Sequence, residues 1–181
     1  LTHLGFEPEW ERTGEVLIPS EKVLQHFDID VRGVFTGMAD SSHVVVVDEH
    51  TYIDEWGVTW QRAYSRAPHS NIKGTLQHLQ NPTPAVLDDL DWPDGADPGR
   101  SRGLRERTLG IRENTDCAIV LNLGNATLAL AQRLRGFSEL LEDLLLNPEF
   151  AHALMERVTN IVCDIAQNSV DSVADLVDAV S

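Results

Sequence analysis

Residues 116–181 read DCAIVLNLGNATLALAQRLRGFSELLEDLLLNPEFAHALMERVTNIVCDIAQNSVDSVADLVDAVS. Within them, 117–123 (CAIVLNL) is a short, nearly continuous apolar run. Such a run suits a strand buried on both faces, as in a parallel sheet. Gly124 and Asn125 break it, a long helical pattern follows, and a second apolar run spans Leu176 to Val180. Strand, helical crossover, strand is the βαβ unit of an α/β protein.

The helical part divides at Asn147-Pro148. Before it, Phe137, Leu140, Leu141, Leu144 and Leu145 fall at i, i+3, i+4, i+7 and i+8, one face of an amphipathic helix. Ser138 is the expected cap, with Glu139, Glu142 and Asp143 on the solvated side. Pro148 suits the first position of a new helix capped by Asn147. Leu154, Val158, Ile161, Val162 and Ile165 continue the spacing. All these apolar positions read as core packing.

Working outward, Ser20 precedes a short helical pattern carrying Val23, Leu24 and Phe27. IDVRGVF (29–35) reads as a strand ending near Gly33. Arg32 within it is either a surface charge, the commoner case, or a binder of phosphate or carboxylate. Residues 43–60 have the pattern of a β-hairpin: a β-branched run (Val44–Val47), a polar turn, a strand at Tyr52-Ile53, and a second turn leading to Val58 and Trp60. Asp54 and Glu55 in that second turn could form a carboxylate pair for acid–base or metal chemistry. The favoured reading is a turn in which Trp56 packs down and Gly57 takes a positive φ. His43, His50, His69 and His78 show no metal-ligand spacing. Most Pro and Gly lie in 62–110, where AVLDDL (85–90) is a short acidic helix pattern. RSRGLRERTLGIREN (100–114) reads as a surface helix with Leu104 and Leu109 inward; its arginines (Arg100, Arg102, Arg105, Arg107, Arg112) are either an anion-binding cluster or, the favoured reading, solvated and paired with surrounding carboxylates.

The chain of 181 residues is long enough for one domain with a sizeable core. Its formal net charge of −15 repels nucleic acid and anionic membranes, so neither is expected as a partner. No apolar run reaches the length of a membrane span, and no signal peptide is visible. Cys117 and Cys163 read as buried thiols rather than a disulfide, which points to a reducing, cytoplasmic setting.

Four stretches carry a family resemblance: FDIDVRGV (27–34), YIDEWGVTW (52–60), TPAVLDDLDWPDGADPGR (83–100) and LRGFSELLEDLLLNPEFAHALMERV (134–158). The chain resembles the N-terminal half of the uroporphyrinogen decarboxylase superfamily, which also contains the cobalamin-dependent (corrinoid) methyltransferases. The resemblance implies an α/β fold: a partial (β/α)8 TIM barrel of the uroporphyrinogen decarboxylase type, with the β-hairpin of 43–60 inserted and 116–181 as a βαβ barrel unit. Residues 1–181 are then a single incomplete domain, about three of eight strands of a protein roughly twice as long.

Nothing in 1–181 resembles the arginine-rich motif that decarboxylases carry near their N-terminus, either because the chain lacks it or because the sequence begins after it. GVFTGMAD (33–40) offers only Asp40 near the place of their substrate-binding aspartate, and their helix tyrosine falls on Gln132. The resemblance therefore favours a methyltransferase, moving a methyl group between a cobamide and a thiol or similar acceptor, over the decarboxylase, uroporphyrinogen III decarboxylase of tetrapyrrole (heme) biosynthesis; the alternative of a different class is a truncated, non-catalytic fragment. The resemblance to the methyltransferases implies zinc, with ligands beyond Ser181, and a corrinoid. The implied partner is a corrinoid protein or a tetrapyrrole-type small molecule; barrel members of the decarboxylase branch are often dimers, which makes a homodimer one possible assembly. In a barrel the site is lined by residues following strands: Arg32 and Phe35, then Asn122 and Asn125, then Ser181.

Overall fold

The structure, a computed structural model, describes residues 9–10, 17–64, 67–124 and 127–181. Three of its strands form a parallel sheet: β3 (Val31–Phe35), β8 (Ala118–Asn122) and β9 (Ala179–Val180), with β8 central. The register pairs Val31 with Ala118 and Phe35 with Asn122, then Val120 with Ala179 and Leu121 with Val180. Strand β3 runs through Gly33 to Phe35 rather than stopping at the glycine, because parallel pairing with β8 continues across it.

Alternation sends Val34, Ile119 and Leu121 to one face, where they pack with Leu104 of helix α2 (Leu104–Asn114) and Val173 of helix α5 (Pro148–Val173). The other face presents Val31, Phe35, Ala118 and Ala179, all exposed. The expectation that the central strand is buried on both faces is thus corrected. Among the described residues, helices cover one face only.

The β8-to-β9 crossover contains three helices: α3 (Thr127–Arg135), α4 (Phe137–Leu146) and α5. The division falls where Asn147-Pro148 places it, although the Asn147 side chain donates to the Pro82 carbonyl (2.7 Å) instead of capping α5. Gly136, with φ of 98°, precedes α4 where Ser138 was expected as the cap. Leu154, Val158, Ile161 and Ile165 are buried as their spacing predicts.

Helix α4 departs from its pattern. Only Leu140 and Asp143 are buried, whereas Phe137, Leu141, Leu144 and Leu145 are exposed. The cause is an ion pair beneath the helix. Arg135 Nε donates to Asp143 at 2.5 Å, and its Nη1 donates to the carbonyls of Leu76 and Leu79 at 2.9 and 3.0 Å. Bringing Asp143 inward rolls the leucine stripe outward.

The predicted hairpin extends further than 43–60. Strands β4 (Val45–Val46), β5 (Thr51–Ile53), β6 (Thr59–Gln61) and β7 (Ser70–Lys73) form one antiparallel sheet in chain order. Trp56, Val58 and Trp60 from it enter the larger core with Leu134, Phe150 and Leu154. Two smaller elements complete the N-terminal part: a ribbon of β1 (Glu9–Trp10) and β2 (Leu17–Ile18), and helix α1 (Glu21–His26). Cys117 is half-buried and Cys163 exposed; both are free, so the expected burial of the thiols does not hold. Among the described residues no helix is long and apolar enough to cross a membrane.

Candidate functional site

Parallel strands end together, and the loops leaving them share one rim. Here the rim gathers Phe35 and Asn122, which are register partners, and Ser181 beyond β9. Ser181 extends the ladder: its N–H donates to the Leu121 carbonyl (2.9 Å), and its own carbonyl accepts from Leu123 N–H (3.0 Å). Three of the residues singled out from the sequence therefore stand on one edge. Asn125 lies outside the described residues. Arg32 does not join the edge. It is buried on the helix-covered side, with Nε and Nη2 both 2.8 Å from the Glu21 carboxylate and Nη1 on the carbonyls of Ile29 and Val31. Its partners describe a structural ion pair that ties α1 to the start of β3.

The rim has a second wall. The loop leaving β3 (36–42) is clasped to the loop entering α2 (94–103). Asp97 accepts from the backbone N–H of Asp40 (2.7 Å), Ser41 (3.1 Å) and Gly99 (2.8 Å), and from the Ser41 hydroxyl (2.8 Å). Gly37 N–H donates to the Arg100 carbonyl at 2.7 Å. The two backbones touch at glycines: a Cβ on Gly99 would stand 2.5 Å from the Asp40 nitrogen and 2.6 Å from the Met38 carbonyl oxygen. Arg102 forms a two-pronged pair with Asp40, and Arg107 donates to the Phe35 carbonyl at 3.3 Å. The result is an exposed surface with Phe35 and Met38 as its apolar part, the Asn122 amide beside them and guanidinium groups on one flank.

The clasp was missed at the sequence level. Its signal was present: Asp-Pro-Gly places Asp97 at the cap of a 3-10 turn (Pro98–Arg100), with proline at the first position. Donors converging on Asp97, with the Asp40 N–H foremost, hold its carboxyl well below the usual range. A group depressed in the folded state contributes stability above its unfolded value, about 3.9, and loses it as pH falls below that value. Acid titration of Asp97→Asn, followed by thermal melting, should therefore show a flatter loss of stability below about pH 4 than the parent chain.

The Asp54-Glu55 turn is structural. Asp54 accepts from the Trp60 indole (2.7 Å), Trp56 N–H (2.9 Å) and Val58 N–H (3.0 Å), while burial pushes its carboxyl upward. Gly57 takes φ of 74° and Trp56 packs down, as the turn reading requires. Glu55 bonds Arg100 at 2.8 and 2.9 Å in a buried pair, which docks the antiparallel sheet on the clasped loops. The other arginines of the basic stretch also find partners: Arg105 on Asp175 and Arg112 on Asp178.

Among the described residues no three His, Cys, Asp or Glu side chains come together as metal ligands. No protein-family model matches the chain, and no curated protein or solved structure matches it.

Proposed function

We propose that residues 1–181 contribute the first strands of a (β/α)8 barrel enzyme of the uroporphyrinogen decarboxylase type, acting in the cytoplasm as a corrinoid-dependent methyltransferase. The supporting observation is one-sided cover. Helices α2 and α5 pack on one face of β3-β8-β9, and the other face carries exposed Val31, Phe35 and Ala118. A doubly wound sheet has helices on both faces, whereas a barrel keeps them outside and fills its interior with strand side chains. In that reading Phe35, Asn122 and Ser181 line the mouth.

A corrinoid is a wide macrocycle with amide arms, and when bound it supplies the methyl group. An exposed ring such as Phe35 gives its face an apolar contact, and the Asn122 amide can both donate to and accept from its arms. The Arg102 and Arg107 flank suits a second reading, decarboxylation of a polycarboxylic porphyrinogen, because guanidinium groups bind carboxylates in pairs.

The deciding experiment uses the protein encoded by the whole source gene, assayed for methyl transfer from methylcobalamin to a thiol. Asn122→Ala is expected to lower that rate by at least about tenfold, equivalent to about 1.4 kcal/mol, with its melting temperature nearly unchanged. Carboxyl loss from an octacarboxylic porphyrinogen without methyl transfer would replace the first reading by the second. Absence of both activities would sink each.

A further inference from the structure

We propose that the outer face of α4 is a docking site for a basic amphipathic helix of a partner protein. The apolar side of that helix packs on the leucine stripe, and its lysines or arginines meet the carboxylates around it. Helix α4 packs on α3 and α5, so the site stands whether or not the barrel reading does.

Phe137, Leu141, Leu144 and Leu145 form one stripe at i, i+4, i+7 and i+8, and they stand 64, 43, 39 and 83% exposed. Folding alone does not ask for this. Turning α4 to bury the stripe would remove four large apolar side chains from water. The buried Arg135–Asp143 pair that holds the helix outward returns little net stability, because both ions lose their hydration. An exposed apolar stripe kept at that cost marks an interaction surface.

The surroundings of the stripe are acidic. Residues 137–149 carry Glu139, Glu142, Asp143 and Glu149 and no lysine or arginine. Asp143 is neutralised by Arg135, while the three glutamates enter no ion pair among the described residues. Asn147, just past Leu146, holds the Pro82 carbonyl at 2.7 Å, which sets the end of α4 beside the 3-10 turn at Pro84–Asp89. Between that turn and α5 lies a groove of about 370 Å³, lined by Pro84, Leu87, Ala153 and Glu156 among others. Asp88 and Arg157 on its wall pair with each other at 2.8 Å, which leaves Glu156 as its unpaired charge. Cations are therefore favoured along the stripe and at its end.

The occupant follows from this chemistry. The backbone of α4 is spent on its own helix, so an extended peptide laid on the leucines would leave its N–H and C=O groups unmet. A helix satisfies its own and presents side chains alone, the helix-in-groove mode of recognition. A second copy and an anionic lipid surface would both add negative charge to a chain whose net charge is already −15.

The test uses the protein encoded by the whole source gene. The probe is a leucine–lysine peptide of about four turns, with its leucines at i, i+3, i+4 and i+7. Calorimetry should show one-to-one binding with a dissociation constant of roughly 1–100 μM, the range for an interface below standard size. Affinity should fall as sodium chloride rises from about 50 to about 500 mM. Leu141→Ser/Leu145→Ser is expected to weaken binding at least about tenfold with the melting temperature nearly unchanged, since both leucines already face water. Glu142→Gln/Glu149→Gln should also weaken it and flatten the salt dependence. The same peptide with glutamate in place of lysine should not bind.

Equal affinity in the parent and in Leu141→Ser/Leu145→Ser overturns the proposal, because net charge alone then holds the peptide. Absence of one-to-one binding up to about 1 mM peptide overturns it as well. Binding to phosphatidylserine vesicles that is lost in Leu141→Ser/Leu145→Ser assigns the stripe to a lipid surface instead. A dimer in sedimentation that is lost in the same variant assigns it to a second copy.

Discussion

Arg135→Ala is expected to lower the unfolding free energy by about 3–5 kcal/mol, the range for breaking a buried ion pair by removing one partner. Both side chains are more than nine-tenths buried, and the arginine also satisfies two carbonyls in the turn at 76–79. Truncation leaves the Asp143 carboxylate and both carbonyls without their donor, in surroundings where water cannot replace it. At about 2–4 °C per kcal/mol for a chain of this size, the melting temperature falls by roughly 10 °C. Calorimetry of Arg135→Ala beside Arg135→Met/Asp143→Leu separates the stranded charge from lost packing. The double variant should recover most of the deficit, since an apolar replacement of similar volume removes the charge that was left unpaired. A loss below about 1 kcal/mol in the single variant would mean that the pair is solvated after all.

Phe150→Ala is the second large effect, again about 3–5 kcal/mol, because a fully buried aromatic ring leaves a cavity that rigid neighbours only partly fill. Phe150 sits in the first turn of α5, in the core that joins the crossover helices to Trp56 and Trp60 of the antiparallel sheet. The Arg135 guanidinium lies 5.7 Å from its ring centroid, so the two losses should not add. Chemical denaturation of both single variants and the double is expected to reveal a coupling of at least about 0.5 kcal/mol. Strict additivity would show that the ring and the cation act independently.

Much of the fold was legible because backbone chemistry is local. The break at Asn147-Pro148, the apolar run of β8, the turn at Gly57 and the 3.6-residue spacing along α5 each carry their own signal. What the sequence hid depends on distant partners. Nothing near Leu141 or Leu145 says that their helix is rolled outward by a bond from Arg135 to Asp143. The continuous apolar run of β8 did not say that one face stays uncovered, because such a strand looks the same whether its second layer is present or not. Phe35, Asn122 and Ser181 meet because parallel strands end together. The Asp97 clasp joins residues from two loops far apart in the chain, so no window along the sequence contains it.

The separation of β3 from β8 has a consequence for how the chain comes together. Between them lie the whole four-stranded sheet, the 3-10 turns at Pro84–Asp89 and Pro98–Arg100, and α2. On a ribosome, β3 emerges and must wait, its hydrogen-bonding edge unmet, until its neighbour has been synthesised. The β4–β7 meander needs only short-range contacts and can form during that delay, drawing the intervening segment together before the strands find each other. Closing that long excursion costs chain entropy before any sheet bonds repay it, so β3–β8 docking is expected to be the slow, late event.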